Sequence, residues 1–297
     1  MAVQRKCRAF LFHITSFLIP LLSFCHNDSA LLAQSELQTI TDDKGVEMIL
    51  IPAAEFHAGA TIDKVLNYCK ALYPDNSDTC SSESFNEFHL VDEPSLVTLS
   101  AFYIDKYEVA VDSYLECVKS DVCVMQPVEQ QYYALLDNLK VETDLPVSGI
   151  TYYDAAVYCA WRGARLPREA EWEYAAAGSE NVSFSWGNDI NQIPANYCDK
   201  NCSRAKNPIS NDGFSELAPV TAYVDGKSWA GVYNLSGNVS EWTSTRLTVG
   251  EGTGNDIRIV KGGNYGSGLQ ELLVWMRIPT GASIARNNGF RCAKKVL

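Results

Sequence analysis

The chain has 297 residues, 46% of them hydrophobic, and a formal net charge of −12. That length supports one large core or two small ones, and the acidity argues against nucleic-acid partners and anionic membrane surfaces. No repeat, low-complexity tract or Gly/Ser- or Pro-rich linker divides it, so residues 34–297 read as one domain behind a leader.

Residues 1–33 differ from the rest. Arg5, Lys6 and Arg8 precede an apolar run over 9–25, interrupted only by His13, Thr15, Ser16, Pro20 and Ser23. A basic start, a short apolar stretch and small residues after it describe a secretory signal. An uncleaved membrane anchor is the alternative, opposed by Pro20 and by the marginal length of the run. Cleavage after Ala30 or Ala33 is one route. The other is lipoprotein processing at Leu22-Ser23-Phe24-Cys25, which would leave lipid on Cys25, although Phe24 is larger than the residue usual there. Either route predicts a secreted, periplasmic or outer-membrane/cell-surface protein. The leader carries a charge of +2, so the remainder carries −14.

Residues 48–52 (MILIP) form an apolar run ended by proline and predict a strand. Residues 97–109 are rich in β-branched and aromatic side chains and predict extended chain. A short helix is predicted over 112–119, with Tyr114, Leu115 and Val118 on one side. Thr151 can cap a helix that runs to Arg162 with Asp154 as a capping partner, and Gly163 ends it. Pro167 suits the first position of a further helix that ends at Ala177 before Gly178, with Glu169, Glu171 and Glu173 favouring its N-terminal half. Beyond Gly178 turn-formers dominate, and few long regular elements are predicted. The stretches 69–80 and 121–144 read as surface insertions.

Ten cysteines are present, two of them, Cys7 and Cys25, in the leader. An even remainder of eight in an exported chain implies disulfides. Three pairs are close in sequence: Cys69 with Cys80, Cys117 with Cys123, and Cys198 with Cys202. Short loops favour those closures, which leaves Cys159 and Cys292 for each other. Zinc is disfavoured, because no CxxC pair occurs and only His57 and His89 follow the leader.

A set of blocks in fixed order carries a family signature. They are PVSGITYYDAAVYCAWRGARLPREAEWEYAAAG (146–178), FSWGND (184–189), APVTAY (218–223), GVYNLSGNVSEWT (231–243), VKGGNY (260–265) and NNGFRCA (288–293). Together they resemble the formylglycine-generating-enzyme, or sulfatase-modifying-factor, family from about Met48 to the C-terminus. The N-terminal block EFHAG (55–59) departs from the usual Phe-x-Met-Gly. The resemblance implies a compact α+β fold of the C-type-lectin-like kind, low in regular secondary structure. The family's long-range disulfide maps onto Cys159 and Cys292.

Two loops rich in oxygen ligands match the family's calcium motifs, and oxygen-only donor sets suit that hard cation. The first implicates the Asn234 side chain, the Gly237 and Val239 carbonyls and Glu241. The second implicates Asn196, the Tyr197 carbonyl, Asp212 and the Phe214 carbonyl. Two structural calcium ions are therefore expected, with no role in catalysis. In the catalytic members, two cysteines shortly after the Gly-Gly-Ser-like turn bind copper, whose monovalent form selects sulfur, and activate oxygen to convert a substrate cysteine to formylglycine. Here no cysteine occurs between Cys202 and Cys292. Counting from Lys261 places Ser267 and Leu272 at those positions, and neither can hold copper.

No Ser-His-Asp nucleophile elbow is present. Asp105, Glu108 and the Glu169/Glu171/Glu173 group read as strand-end ion pairs and a solvated helix face rather than acid–base pairs. The expectation is a non-catalytic binding or scaffold module for an exported or envelope protein, or for a glycan gripped by Trp275, Tyr265 and Trp242. The competing reading is an enzyme that modifies an exported protein, by formylglycine-type oxidation or by other chemistry at a metal the motifs do not reveal.

Overall fold

The computed structural model describes residues 37–73, 80, 94–125, 144–202, 211–247, 256–283 and 286–296. The stretch 1–36, read above as mostly a leader and containing Cys25, residue His89 and most of the 121–144 stretch lie outside them. The elements are β1 (Thr39–Thr41), β2 (Glu47–Ile51), β3 (Ala54–Ala58), α1 (Ile62–Leu72), β4 (Ser95–Leu99), β5 (Phe102–Asp105), α2 (Val111–Lys119), α3 (Tyr152–Trp161), α4 (Glu169–Ala177), β6 (Ser240–Leu247), β7 (Ile257–Lys261), β8 (Ile278–Gly281), β9 (Asn288–Gly289) and β10 (Ala293–Lys295).

Strand β2 is the MILIP run, and both its edges are paired in a sheet of order β1-β2-β5-β10. The extended stretch 97–109 is not one strand. It breaks at Ser100–Ala101 and serves two sheets: β4 pairs with β3 in a separate ribbon, whereas β5 lies between β2 and β10. A β-rich composition predicts extended backbone but not the sheet each residue joins, because pairing partners are distant in sequence. Turns and bends dominate after Gly178 as expected as far as Val239, and a third sheet of order β8-β7-β6-β9 begins only at Ser240. Its parallel β6–β9 pair is only two residues long.

Helix α1 has no counterpart in the sequence-based expectations, although Val65, Cys69 and Leu72 recur at helical spacing and are buried. Helix α2 buries Val111, Tyr114 and Cys117. At α3, the Thr151 hydroxyl accepts the Asp154 N–H at 3.1 Å, and Gly163 follows in the left-handed region at φ 67°. Helix α4 starts later than expected. Pro167 lies outside it, and Arg168 is the cap because the Glu171 carboxylate reaches back to the Arg168 N–H at 2.8 Å.

The four disulfides are those expected from spacing: Cys69–Cys80, Cys117–Cys123, Cys198–Cys202 and Cys159–Cys292. The last spans 133 residues and fastens α3 to the segment before β10. It sits in a core cluster with Tyr114, Tyr158, Trp242 and Phe290. A larger cluster gathers Phe102, Trp172, Phe184, Leu272 and Trp275. No helix among the described residues is long and apolar enough to cross a membrane.

The carboxylates of α4 do not form a solvated face. Glu171 and Glu173 are buried. Arg165 grips Glu171 through two 2.7 Å bonds, Lys261 bonds Glu173 at 3.0 Å, and Arg277 holds Glu169 at 2.7 and 3.0 Å. Their partners come from β7, from the loop before α4 and from the segment before β8, so periodicity within the helix does not reveal them. Asp105 behaves as expected of a strand-end carboxylate, pairing with Arg162 at 2.7 and 2.9 Å.

Candidate functional site

The loop 234–241 turns sharply. Asn234 and Asn238 take left-handed φ values of 53° and 66°, and Gly237 has φ 106°. A Cβ on Gly237 would lie 2.4 Å from the Asn196 carbonyl oxygen, so only glycine permits this approach. The Asn238 N–H bonds that same carbonyl at 2.8 Å. Both oxygen-rich loops are thus clamped together.

A buried polar chain runs through the contact. Asn196 Nδ2 donates to Asn238 Oδ1 at 2.9 Å and to the Glu216 carbonyl at 2.8 Å. Asn238 Nδ2 and Asn234 Nδ2 both donate to one Glu108 oxygen, at 3.0 and 2.8 Å. Burial pushes the Glu108 carboxyl up to about 8, with Arg291 opposing and Glu241 adding to the shift. The other Glu108 oxygen is buried without a hydrogen-bond partner among the described residues.

Glu241 is fully buried and fully engaged. Arg291 bonds both its oxygens, at 2.6 and 2.7 Å, and Trp172 Nε1 donates to one of them at 2.8 Å. Arg291 also reaches the Asp105, Lys106 and Tyr233 carbonyls at 3.1, 3.3 and 2.7 Å. Of the four groups expected at the first cation site, the single carboxylate is therefore committed to an arginine. A dication bound by it would sit against a guanidinium, so this loop does not fit the ion through Glu241.

The second loop fits better. Asn196 Oδ1 is buried without a hydrogen-bond partner among the described residues. Asp212 accepts the Tyr197 and Phe214 N–H groups at 3.1 and 2.9 Å, which holds the chosen residues around one turn. Burial, with Asp199 nearby, holds the Asp212 carboxyl above its ordinary range, and the two N–H bonds only partly offset this. A second carboxylate, Asp199, is buried beside it and accepts the Asp212 N–H at 2.5 Å. Two crowded carboxylates, with the buried Asn196 amide oxygen one residue before Tyr197, are donors of the kind a hard cation takes. Sequence reasoning missed Asp199, which stands only three residues after Asn196. It also missed Arg291, and Glu108, read as a strand-end ion-pair carboxylate, instead accepts from the distant Asn234 and Asn238 amides.

At the two positions counted from Lys261, Ser267 is buried and its hydroxyl accepts the Asn264 N–H at 3.1 Å. Leu272 is fully buried in the larger core cluster. Around Ser267 runs a neutral network: Asn264 Nδ2 to Ser240 at 2.9 Å, Asn287 Nδ2 to Asn264 at 3.1 Å, and the Tyr265 hydroxyl to Asn287 at 2.9 Å. Trp242 and Trp275 are buried in the two core clusters, and Tyr265 alone of the three is half-buried. A cavity of about 490 Å³ is walled by Ala58, Val97, Arg168, Glu169, Trp275 and Arg277 among others.

These features define a disulfide-stapled α+β domain of the C-type-lectin-like kind, with two clamped oxygen-rich loops. The chain belongs to the sulfatase-modifying factor enzyme 1-like domain family, which matches residues 33–296. It is 36% identical over 162 residues to inactive C-alpha-formylglycine-generating enzyme 2 of Mus musculus, covering 52% of this chain and 51% of that protein. Formylglycine-generating enzyme of Mus musculus is 39% identical over 167 residues, covering 50% of this chain and 44% of that protein. The chain thus spans about half the length of these curated relatives. PvdO from Pseudomonas aeruginosa shares the fold, with a TM-score of 0.62 at 19% identity, over 87% of this chain and 98% of that one.

Proposed function

We propose that this chain is a non-catalytic, calcium-braced binding or scaffold module, exported by its leader to act on an exported or envelope protein. One observation carries the reading. All eight of Cys69, Cys80, Cys117, Cys123, Cys159, Cys198, Cys202 and Cys292 are in disulfides, no cysteine lies between Cys202 and Cys292, and the count from Lys261 puts Ser267 and Leu272 where the resemblance implies the copper ligands. A hydroxyl that accepts from a backbone N–H and a core leucine supply no soft donor for copper. Disulfides suit an oxidising compartment, and an irregular, braced surface suits recognition. The protein incubated with copper, oxygen and a Cys-x-Pro-x-Arg peptide is expected to leave the peptide cysteine unconverted, as read by mass spectrometry. Catalytic conversion to the aldehyde would refute the reading.

Calcium belongs, in this reading, at the Asn196–Asp212 loop, held by the Asn196 and Asp212 side chains with the Tyr197 and Phe214 carbonyls. Bound there it would neutralise the crowded carboxylates and brace the loop; it has no chemical step to perform. An ion at one hundred times its dissociation constant stabilises the fold by about 2.7 kcal/mol. Melting in calcium is therefore expected above melting in chelator for the native chain, and Asp212→Ala is expected to abolish most of that difference. An unchanged calcium-dependent shift in the variant would remove the ion from this loop.

A further inference from the structure

Three of the four disulfides are sealed in the core. The sulfur-bearing residues Cys69, Cys80, Cys117, Cys123, Cys159 and Cys292 are at most 7% exposed. Cys198 and Cys202 are only half-buried. Their bridge also closes the shortest loop, with a sequence separation of 4 against 6, 11 and 133 for the others. A bridge over so short a loop restrains the unfolded chain least, so opening it leaves the fold standing. Thiolate attack on a disulfide is governed by access as well as by thiol acidity. Access here singles out one bond.

The same five residues tie together two functional regions. The Cys198 N–H bonds the Ser267 carbonyl at 2.9 Å, beside the neutral network of Asn264, Ser240 and Asn287. Between the cysteines, buried Asp199 accepts the Asn201 N–H at 2.7 Å and the Asp212 N–H at 2.5 Å. The Cys202 N–H returns to the Asp199 carbonyl at 3.0 Å. The bridge therefore holds the turn in which Asp199 grips the Asp212 loop on one side and the Cys198 N–H meets Ser267 on the other.

We propose that the Cys198–Cys202 disulfide is a thiol-exchange site, and that its reduction releases the turn which fastens the Asp212 loop. The co-reactant is a small thiol or a cysteine-bearing peptide. Its thiolate attacks one of the two sulfurs; the Cys198–Cys202 bond breaks, a mixed disulfide forms, and the other cysteine leaves as a thiolate. A second thiolate then attacks the reagent's sulfur in the mixed disulfide. The second cysteine is released and the reagent leaves as its own disulfide, so two electrons pass from two thiols to the protein.

The test uses the full chain after its leader, in chelator, so that it stands apart from the calcium assignment. The protein is exposed to graded dithiothreitol, quenched with iodoacetamide and peptide-mapped. Cys198 and Cys202 are expected to be alkylated at a reductant concentration about tenfold below that needed for the other six. Opening of any other pair first, or of all four together, would overturn the proposal. Amide hydrogen exchange of the selectively reduced protein, and of a C198S/C202S variant, is expected to accelerate at 197–202 and 211–214 while α3 and α4 stay protected. Unchanged exchange at 211–214 would disprove the link to the Asp212 loop.

Discussion

Glu241→Ala is expected to destabilise the fold by about 3–5 kcal/mol, and by the same amount in calcium as in chelator, because it strands a fully buried guanidinium. Arg291 keeps its carbonyl contacts at Asp105, Lys106 and Tyr233, but those dipoles do not neutralise a charge. Trp172 also loses its acceptor. Denaturant midpoints of the native chain and the variant in both buffers provide the measurement. A double variant, Glu241→Leu with Arg291→Met, removes both charges and is expected to recover much of the loss. If instead the single variant is damaged only in calcium, Glu241 is an ion ligand and its pairing with Arg291 is the minor role. The expected equality is a consequence of geometry: both carboxylate oxygens are already spent within 2.7 Å of Arg291.

Replacing Cys159 and Cys292 together by alanine is expected to cost about 2–5 kcal/mol, more than the loss of any other bridge. The loop it closes, 133 residues, is the longest, so its absence frees the unfolded chain most. Both sulfurs also lie in the cluster of Tyr114, Tyr158 and Phe290, where lost volume adds a cavity cost. The C198S/C202S variant is the natural control, with a shorter loop and half-buried sulfurs. A loss for the long bridge no greater than for the short one would show that the segment before β10 is held by its strand pairing alone.

The positions of α3 and α4 were legible because their stop signals are local: Gly163 and Gly178 both take positive φ where their helices end. The exact start of α4 was not, since it depends on Glu171 reaching back to the Arg168 N–H and making Arg168 the cap after Pro167. The disulfide framework followed from counting, because three short separations leave one long pair. Leu272 was flagged by its register and proved to be core. The two cation loops were legible as motifs, yet they turned out chemically unequal. One keeps a buried amide oxygen without a partner among the described residues, and the other has surrendered its carboxylate.

The sequence by itself therefore determined the family, the disulfide pairing, three of the four α-helices among the described residues and the absence of cysteine between Cys202 and Cys292. Each of these is a matter of residue identity, order or near-neighbour spacing. Tertiary structure decided which charges are paired. Glu241 meets Arg291 across 50 residues, Glu108 meets Asn234 across 126, and Glu173 meets Lys261 across 88. No local pattern encodes such separations. A buried carboxylate reads the same in sequence whether it faces a cation, an arginine or an amide, and only the folded chain's low-dielectric interior makes the difference decisive.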